Sequence, residues 1–259
     1  MAYKILTMNL RYPSVKDGEN GWAFRYEGVA KFINQEKPLI IGAQEVYDHM
    51  RDDIIRLTEN YDAFGITRTP NGEGVPIFYD KTQLEIIEGG NFWLSETPLV
   101  PGSKDWGSFC VRMCTWVEFA FKNNRDMHFR FFNTHLDHVS KEAQIKGIEV
   151  VLSKISALNK IEALPAFLMG DFNAKPQSET IKYINERIED SDINFKSVYE
   201  NGIAYGTTFH DFTGRVNGEP IDYIYYTKDL QVKNVTIYRD KVNNRYISDH
   251  YPLGFTINF

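Results

Sequence analysis

Cysteine is scarce in this 259-residue chain: there are two, Cys110 and Cys114. Such a pair builds neither a disulfide framework nor a four-thiolate zinc site. Both fall in a segment that reads as extended, where four strand steps separate the Cα atoms by roughly 13 Å, too far for a bridge. They are expected to be reduced packing residues. No apolar run approaches the roughly 20 residues that a membrane helix needs. The N-terminus, MAYKILTMNL, lacks a basic stretch followed by an apolar core and reads straight into a strand. The expected location is therefore the cytoplasm. Long basic runs are also missing, and the net charge is −6. A protein held to nucleic acid by a broad basic surface would carry the opposite sign. Nucleic acid stays an alternative substrate that the charge does not indicate. Repeats, low-complexity tracts and Pro/Ser-rich linkers are absent, which predicts one domain over residues 1–259.

What the chain does have is apolar and aromatic content, 42% and 14%, enough for a sizeable core. Two periods alternate along it. Ala2–Asn9 and Pro38–Val46 read as strands around a helix carrying Trp22, Tyr26, Val29 and Ile33. Met50, Ile54 and Leu57 suggest a second helix. Pro76–Ile87, Asn91–Leu94, Arg112–Phe121 and Met127–Thr134 read as strands, with turn signals at Glu88-Gly89-Gly90 and Lys122-Asn123-Asn124. Ser140–Lys160 is the strongest helix. Ala163–Met169 is a buried strand, Ile181, Ile184 and Ile188 mark a short helix, and Ile221–Thr227, Gln231–Tyr238 and Tyr251–Phe259 are strands. The simplest packing is two sheets face to face with helices outside each.

Polar residues stand where the apolar strands end: Asn9, Glu45, His135, Asp171, Asn173, Asp222, Asp249 and His250. One such residue is an ordinary cap or turn residue. Together, a set dominated by carboxylates, histidine and asparagine reads as a first shell on rigid elements. Oxygen donors suit a hard cation such as Mg²⁺, which keeps several waters and needs one or two carboxylates. Asn9, Glu45 and Asp249 fit that need. His135 and His138 would point to opposite faces of a continued strand, which disfavours zinc.

The ordered segments Thr7-Met8-Asn9, Gln44-Glu45-Val46, Asn133-Thr134-His135-Leu136-Asp137-His138, Gly170-Asp171-Phe172-Asn173, Ile221-Asp222-Tyr223-Ile224 and Ser248-Asp249-His250 resemble the endonuclease/exonuclease/phosphatase superfamily. The likeness spans Asn9 to His250. Asn91-Phe92-Trp93-Leu94-Ser95-Glu96-Thr97-Pro98 resembles a prokaryotic branch whose members often lack an assigned substrate. The resemblance implies an α+β fold, a four-layer αββα sandwich of two mixed β-sheets with helices on the outer faces. It implies a phosphoesterase that uses Mg²⁺, or Mn²⁺ in its place, to assist attack of water on a phosphodiester or phosphomonoester. Glu45 would be the main metal ligand, with Asn9 and Asp249 beside it. Asp171 would activate or orient the water, and Asn173 would position it or the phosphate. His250, held by Asp222, and His135 would face the phosphate. Glu73 matches the glutamate that pairs with the second histidine in deoxyribonuclease I, and Arg112 stands where the family often carries a phosphate-binding arginine. For Arg112, a surface charge beside a strand is the competing reading. His210, in Gly206-Thr207-Thr208-Phe209-His210-Asp211-Phe212, is expected in the substrate wall, although that loop could equally pack on itself. Tyr47 replaces an arginine that reaches DNA in deoxyribonuclease I. A nuclease or deadenylase, and a scaffold without catalysis, are the alternatives.

Overall fold

The computed structural model describes residues 2–199 and 206–259. The first sheet begins with β1 (Tyr3–Asn9), which runs parallel to β2 (Ile40–Gln44) through the crossover helix α1 (Trp22–Glu36). Helix α2 (Asp48–Leu57) leads to β3 (Tyr61–Phe64) and β4 (Ile77–Asp80). The chain then crosses into the second sheet with β5 (Leu84–Trp93), β6 (Met113–Phe121) and β7 (Asn124–His135), joined by antiparallel pairings. Helix α3 (Lys141–Ile161) returns it to β8 (Ala166–Asp171), parallel to β7. After α4 (Glu179–Arg187) come β9 (Phe195–Ser197) and β10 (Asp222–Thr227). The last strands, β11 (Val232–Ile237) and β12 (Leu253–Ile257), go back to the first sheet. The strand orders are β11-β12-β1-β2-β4-β3 and β5-β6-β7-β8-β10-β9. Each sheet thus has a βαβ unit, β1-α1-β2 or β7-α3-β8, at its centre.

Alternation along the strands makes the four layers. In β1 and β2, Ile5 and Ile40 face the other sheet and join a core with Phe129, Phe131, Phe167 and Phe255. Their neighbours Leu6, Met8, Ile41 and Ala43 face outward and are covered by Val29 and Ile33 of α1 and Ile54 of α2. On the far side, Ile148, Val151 and Ile155 of α3 cover the second sheet. The period of two in the strands and the helical stripe on α3 are what separate these faces. Ser140 caps α3, its Oγ accepting from Ala143 N–H, where the sequence predicts the helix to start.

The sequence and the structure differ at particular places. Pro76–Ile87 is not one strand: Asp80 accepts Thr82 N–H and closes a turn, so β4 and β5 fall in different sheets. Glu88-Gly89-Gly90 is no turn but part of β5, after a bulge at Ile86/Glu88. There a Cβ on Gly89 would come within 2.9 Å of the Phe64 ring. Close packing explains these glycines, and they are a known strand signal of that kind. Cys110 lies in a loop and only Cys114 in a strand; both are free. Among the described residues, no helix is long and apolar enough to cross a membrane.

Candidate active site

The central parallel pairs, with β10 and the turn before β12, bring the polar strand ends to one end of the sandwich. In register, His135 on β7 lies beside Asp171 on β8, and Asp171 lies beside Asp222 on β10. In the facing sheet Asn9 on β1 is level with Gln44 on β2, so Glu45 follows at the rim. Beneath them a buried polar tie joins the sheets: Gln44 Nε2 donates to Asn133 Oδ1 at 2.7 Å, and Asn133 Nδ2 donates to the Ala43 carbonyl. Gly170 holds φ at 149°, and a Cβ there would sit 1.8 Å from the Thr134 carbonyl oxygen. Only glycine lets β8 approach β7 that closely one residue before Asp171.

These ends line a cavity of about 490 Å³, a size suited to a small ligand. Glu45, Glu73, Arg112, His135, Asp171, Asn173, Asp249 and His250 all reach its wall. Asn9 and Asp222 stand behind them, buried. Asn9 Nδ2 donates to Glu45 Oε1 at 3.1 Å and to Asp171 Oδ2 at 3.0 Å, while its Oδ1 accepts Arg11 N–H. Asn9 therefore bridges two carboxylates by its nitrogen. The other Glu45 oxygen accepts Tyr12 N–H at 2.8 Å. Glu45 and Arg11 both have left-handed backbones, φ 61° and 57°, a conformation costly for residues other than glycine. Such strain is common where a loop must aim a functional group.

From the turn before β12, His250 reaches the ends of the second sheet: its Nδ1 lies 2.9 Å from Asp222 Oδ2, and its Nε2 lies 3.8 Å from Asp171 Oδ2. Burial disfavours a charged imidazole, but Asp222, Asp171 and Asp249 outweigh it and hold His250 protonated above the ordinary histidine range. Burial, reinforced by Asp222, pushes Asp171 up from the usual carboxylate value. His135 goes the other way: burial and then Arg112 keep it neutral. Its Nε2 lies 3.0 Å from Asn173 Nδ2 and accepts that amide as a neutral ring. Asp171, Asp222 and His250 also bring one ligand-type atom each within 4.8 Å of one another. A cation in that trio would compete with the imidazolium for Asp222.

Two placements depart from the sequence reading. Glu73 holds Arg68 at 2.6 Å and Arg112 at 3.6 Å, whereas His135 Nε2 meets Asn173 and Asp171. A second arginine, introduced by no motif, draws that carboxylate into the wall. His210 is fully buried; its ring stacks on Tyr251 at 3.8 Å and faces Tyr246. It does not line the cavity, and its neighbour Phe209 does. Alternation in an extended loop turns one of two adjacent rings inward. Arg112 is buried, with Nε and Nη1 lacking a hydrogen-bond partner, so it is not a surface charge.

Sequence reasoning also left functional neighbours unread. Arg11 sits 3.7 Å from Asp249 Oδ2 and pairs with Asp17. Phe109 also lines the wall, with Cys110 and Tyr47, which the sequence singles out only as a packing thiol and as the residue in place of a DNA-reaching arginine. Asp137 receives Ser108 Oγ–H and the N–H groups of Phe109, Cys110, Val139 and Ser140, which fixes the loop carrying Phe109. Its position within the His135–His138 segment was the only signal available.

A model of the Endonuclease/Exonuclease/phosphatase family matches residues 6–250. The chain belongs to that family. Among solved structures, a mannosyl-6-phosphatase from Bacteroides thetaiotaomicron superposes with a TM-score of 0.91 at 30% identity, covering 99% of this chain and 100% of that one. A conserved protein of unknown function from Enterococcus faecalis gives 0.86 at 31%, covering 98% and 99%. The human Nocturnin catalytic domain with a bound sulfate gives 0.78 at 20%, covering 100% and 93%, a likeness of fold. No curated protein matches the chain in sequence.

Proposed function

We infer that the protein is a Mg²⁺-dependent phosphoesterase, with Mn²⁺ able to substitute, and that it hydrolyses a phosphomonoester carried on a small molecule such as a sugar. The observation that carries this reading is the cavity itself. Three carboxylates, Glu45, Asp171 and Asp249, meet the protonated His250 there. The carboxylates fit a hard cation: burial raises the Asp249 pKa, and the nearby Glu45 raises it further, a repulsion that a bound cation would relieve. Glu45 and Asp249 would hold the ion, with Asn9 fixing Glu45 against Asp171. When bound, the ion would neutralise charge on the phosphoryl oxygens and the leaving oxygen.

The chain's own groups supply the rest. Asp171, pinned by Asn9 and by Asn173 N–H, is placed to accept a proton from water. His250 offers an N–H at Nε2 as a cation because Asp222 occupies its other nitrogen. That suits a phosphoryl oxygen gaining charge. Arg112 lies in the same wall, and its Nε and Nη1, which make only long ion pairs with Asp137 and Glu73 and no hydrogen bond, suit the same need. Tyr47, Phe109 and Phe209 are apolar wall for a ring. The bacterial sugar phosphatase of similar fold supports the monoester reading, as does a negative net charge, which is poor for a nucleic-acid backbone.

The test is a panel of sugar phosphates, inositol phosphates, dinucleotides and oligonucleotides, each with Mg²⁺, with Mn²⁺ and with a chelator. Turnover of a small monoester that stops with the chelator supports the reading. Turnover confined to oligonucleotides overturns the substrate class. Full activity of Glu45→Gln and His250→Ala overturns the mechanism.

A further inference from the structure

Arg25 is the largest kind of charged side chain, yet it is 1% exposed and lies behind the cavity, not in its wall. No carboxylate is hydrogen-bonded to it among the described residues. Its guanidinium is satisfied by four carbonyls: Nε donates to Asn20, Nη1 to Leu10 at 2.8 Å and Ile247 at 2.7 Å, and Nη2 to Arg11 at 3.1 Å. Trp22 and Phe212 each lie against the group, ring centre 5.5 Å from Cζ. Burying a cation without a counter-ion is costly, and an arginine is kept there only where its fork geometry is used.

Three of the four carbonyls border the site. Leu10 and Arg11 follow Asn9 directly. Ile247 precedes Ser248, Asp249 and His250. The N–H of Tyr12, next along from Arg11, is the donor that fixes Glu45. A parallel tie, Ser248 Oγ donating to the Asn9 carbonyl at 2.6 Å, joins the same two loops. Asn9 and Asp249 thus border two loops that meet at one side chain of α1, and Glu45, in the loop after β2, is tied to the first of them by Tyr12 N–H.

We propose that Arg25 is a positioning residue: by chelating the carbonyls of Leu10, Arg11 and Ile247 it sets the spacing of Glu45 and Asp249, and so the affinity and geometry of the divalent-cation site. The inference rests on the metal reading above. Lysine cannot replace it, since one ammonium cannot reach two loops along the directions a fork covers. Supporting groups of this kind are worth about 10- to 100-fold in metal affinity or activity.

The experiment compares the full chain with Arg25→Lys and Arg25→Ala. Mn²⁺ binding is titrated by electron paramagnetic resonance without substrate. In parallel, kcat and KM are measured with 4-nitrophenyl phosphate, and melting curves set an assay temperature at which all forms are folded. The expected result is Mn²⁺ affinity weakened by about tenfold or more, kcat lowered, KM for the ester nearly unchanged, and partial recovery of Arg25→Ala by added guanidinium. Folded variants that bind Mn²⁺ as tightly as the parent overturn the proposal and leave the metal reading standing. A parent that binds no Mn²⁺ overturns both. Should both variants fail to fold, Arg25→Gln, which keeps donors for fewer of these carbonyls, takes their place; weakened Mn²⁺ binding there supports the proposal, and unchanged binding overturns it.

Discussion

At the end of the first sheet, Asn9, Glu45 and Asp249 are held by loop N–H groups, by Ser248 Oγ and by Arg11; at the end of the second, His135, Asp171 and Asp222 are joined by His250, which reaches over from the turn before β12 of the first sheet. The first group gathers negative charge with Arg11 as its nearest cation. The second pairs an acid with a base, His250 with Asp222, and leaves Asp171 between two rings. Both groups stand at the ends of a βαβ unit or on the return strands beside it. The same backbone device therefore carries two kinds of chemistry. On the proposed function the first group would hold a cation and the second would handle a proton, because the loops that follow the strands differ.

Substitutions that separate the halves should have the largest effects. Asp171→Asn and His250→Ala should each lower kcat by about 10²- to 10⁴-fold, the usual worth of an acid or base group. Raising the metal concentration should not restore them. Glu45→Gln should also lose rate, yet recover part of it as Mg²⁺ is raised, because its defect is in metal affinity. Steady-state assays across a Mg²⁺ series make the comparison. If His250→Ala recovers with metal as Glu45→Gln does, the division between the halves is wrong.

A shift in pH dependence comes next. Asp171 must be unprotonated to accept a proton, and its pKa is raised, so the acid limb of kcat/KM should lie above the ordinary carboxylate range. The alkaline limb should follow His250. Asp222→Asn removes the charge that offsets burial, so His250 should lose its proton earlier and the alkaline limb should move down by about one pH unit or more. The sign for stability is the same. The folded pKa of His250 stands above its unfolded value, so its contribution is complete below the ordinary histidine range and is lost as pH rises through the raised value.

The wall loop gives a smaller effect, read in stability. Asp137 collects five hydrogen bonds. Burial alone would raise its pKa, but the bonds from Ser140, Cys110, Val139 and Phe109 bring it down to about 2. Asp137→Ala should cost about 3 kcal/mol, from losing several bonds to a buried charged group, and should raise KM as Phe109 loosens. Since the folded pKa is depressed, the contribution is present above the ordinary carboxylate value and lost as pH falls toward about 2. Denaturant melts between acid and neutral pH check both the size and the sign; parent and variant showing the same acid dependence would remove Asp137 from this role.

How far these roles could be read from residues alone depended on where each stood. Asn9, Glu45, His135 and Asp171 end apolar strands and His250 stands just before one, and a strand end has one position in space, so a polar residue there is legible. The two-sheet packing was legible for the same reason, through the switch between strand and helix periods. Arg25 was not: within a helix pattern it looks like any exposed arginine, and its burial depends on carbonyls more than 200 residues apart in the chain, such as Leu10 and Ile247. Arg68 was hidden in the same way, since its partner Glu73 is set by a loop. Gly89 and Gly90 misled because glycine signals both a turn and a close approach, and the choice was made by the rings of Phe64 and Trp116 across the sheet.

The smallest effect expected tests that loop problem directly, on two adjacent residues. Phe209 faces the cavity, its ring 5.0 Å from that of His250, while His210 packs on Tyr251 behind it. Phe209→Leu should raise KM for a ring-bearing substrate and leave the fold intact. His210→Phe keeps a ring for the stack, removes the acceptor for Gly214 N–H, a bond of 3.3 Å, and also removes the buried Nε2, which has no hydrogen-bond partner. That change should lower stability by no more than about 1 kcal/mol, the net worth of one neutral hydrogen bond, with kcat and KM as in the parent. A rise in KM for His210→Phe alone would mean that the loop turns over when substrate enters, and that the buried histidine, not the half-buried phenylalanine, meets the ligand.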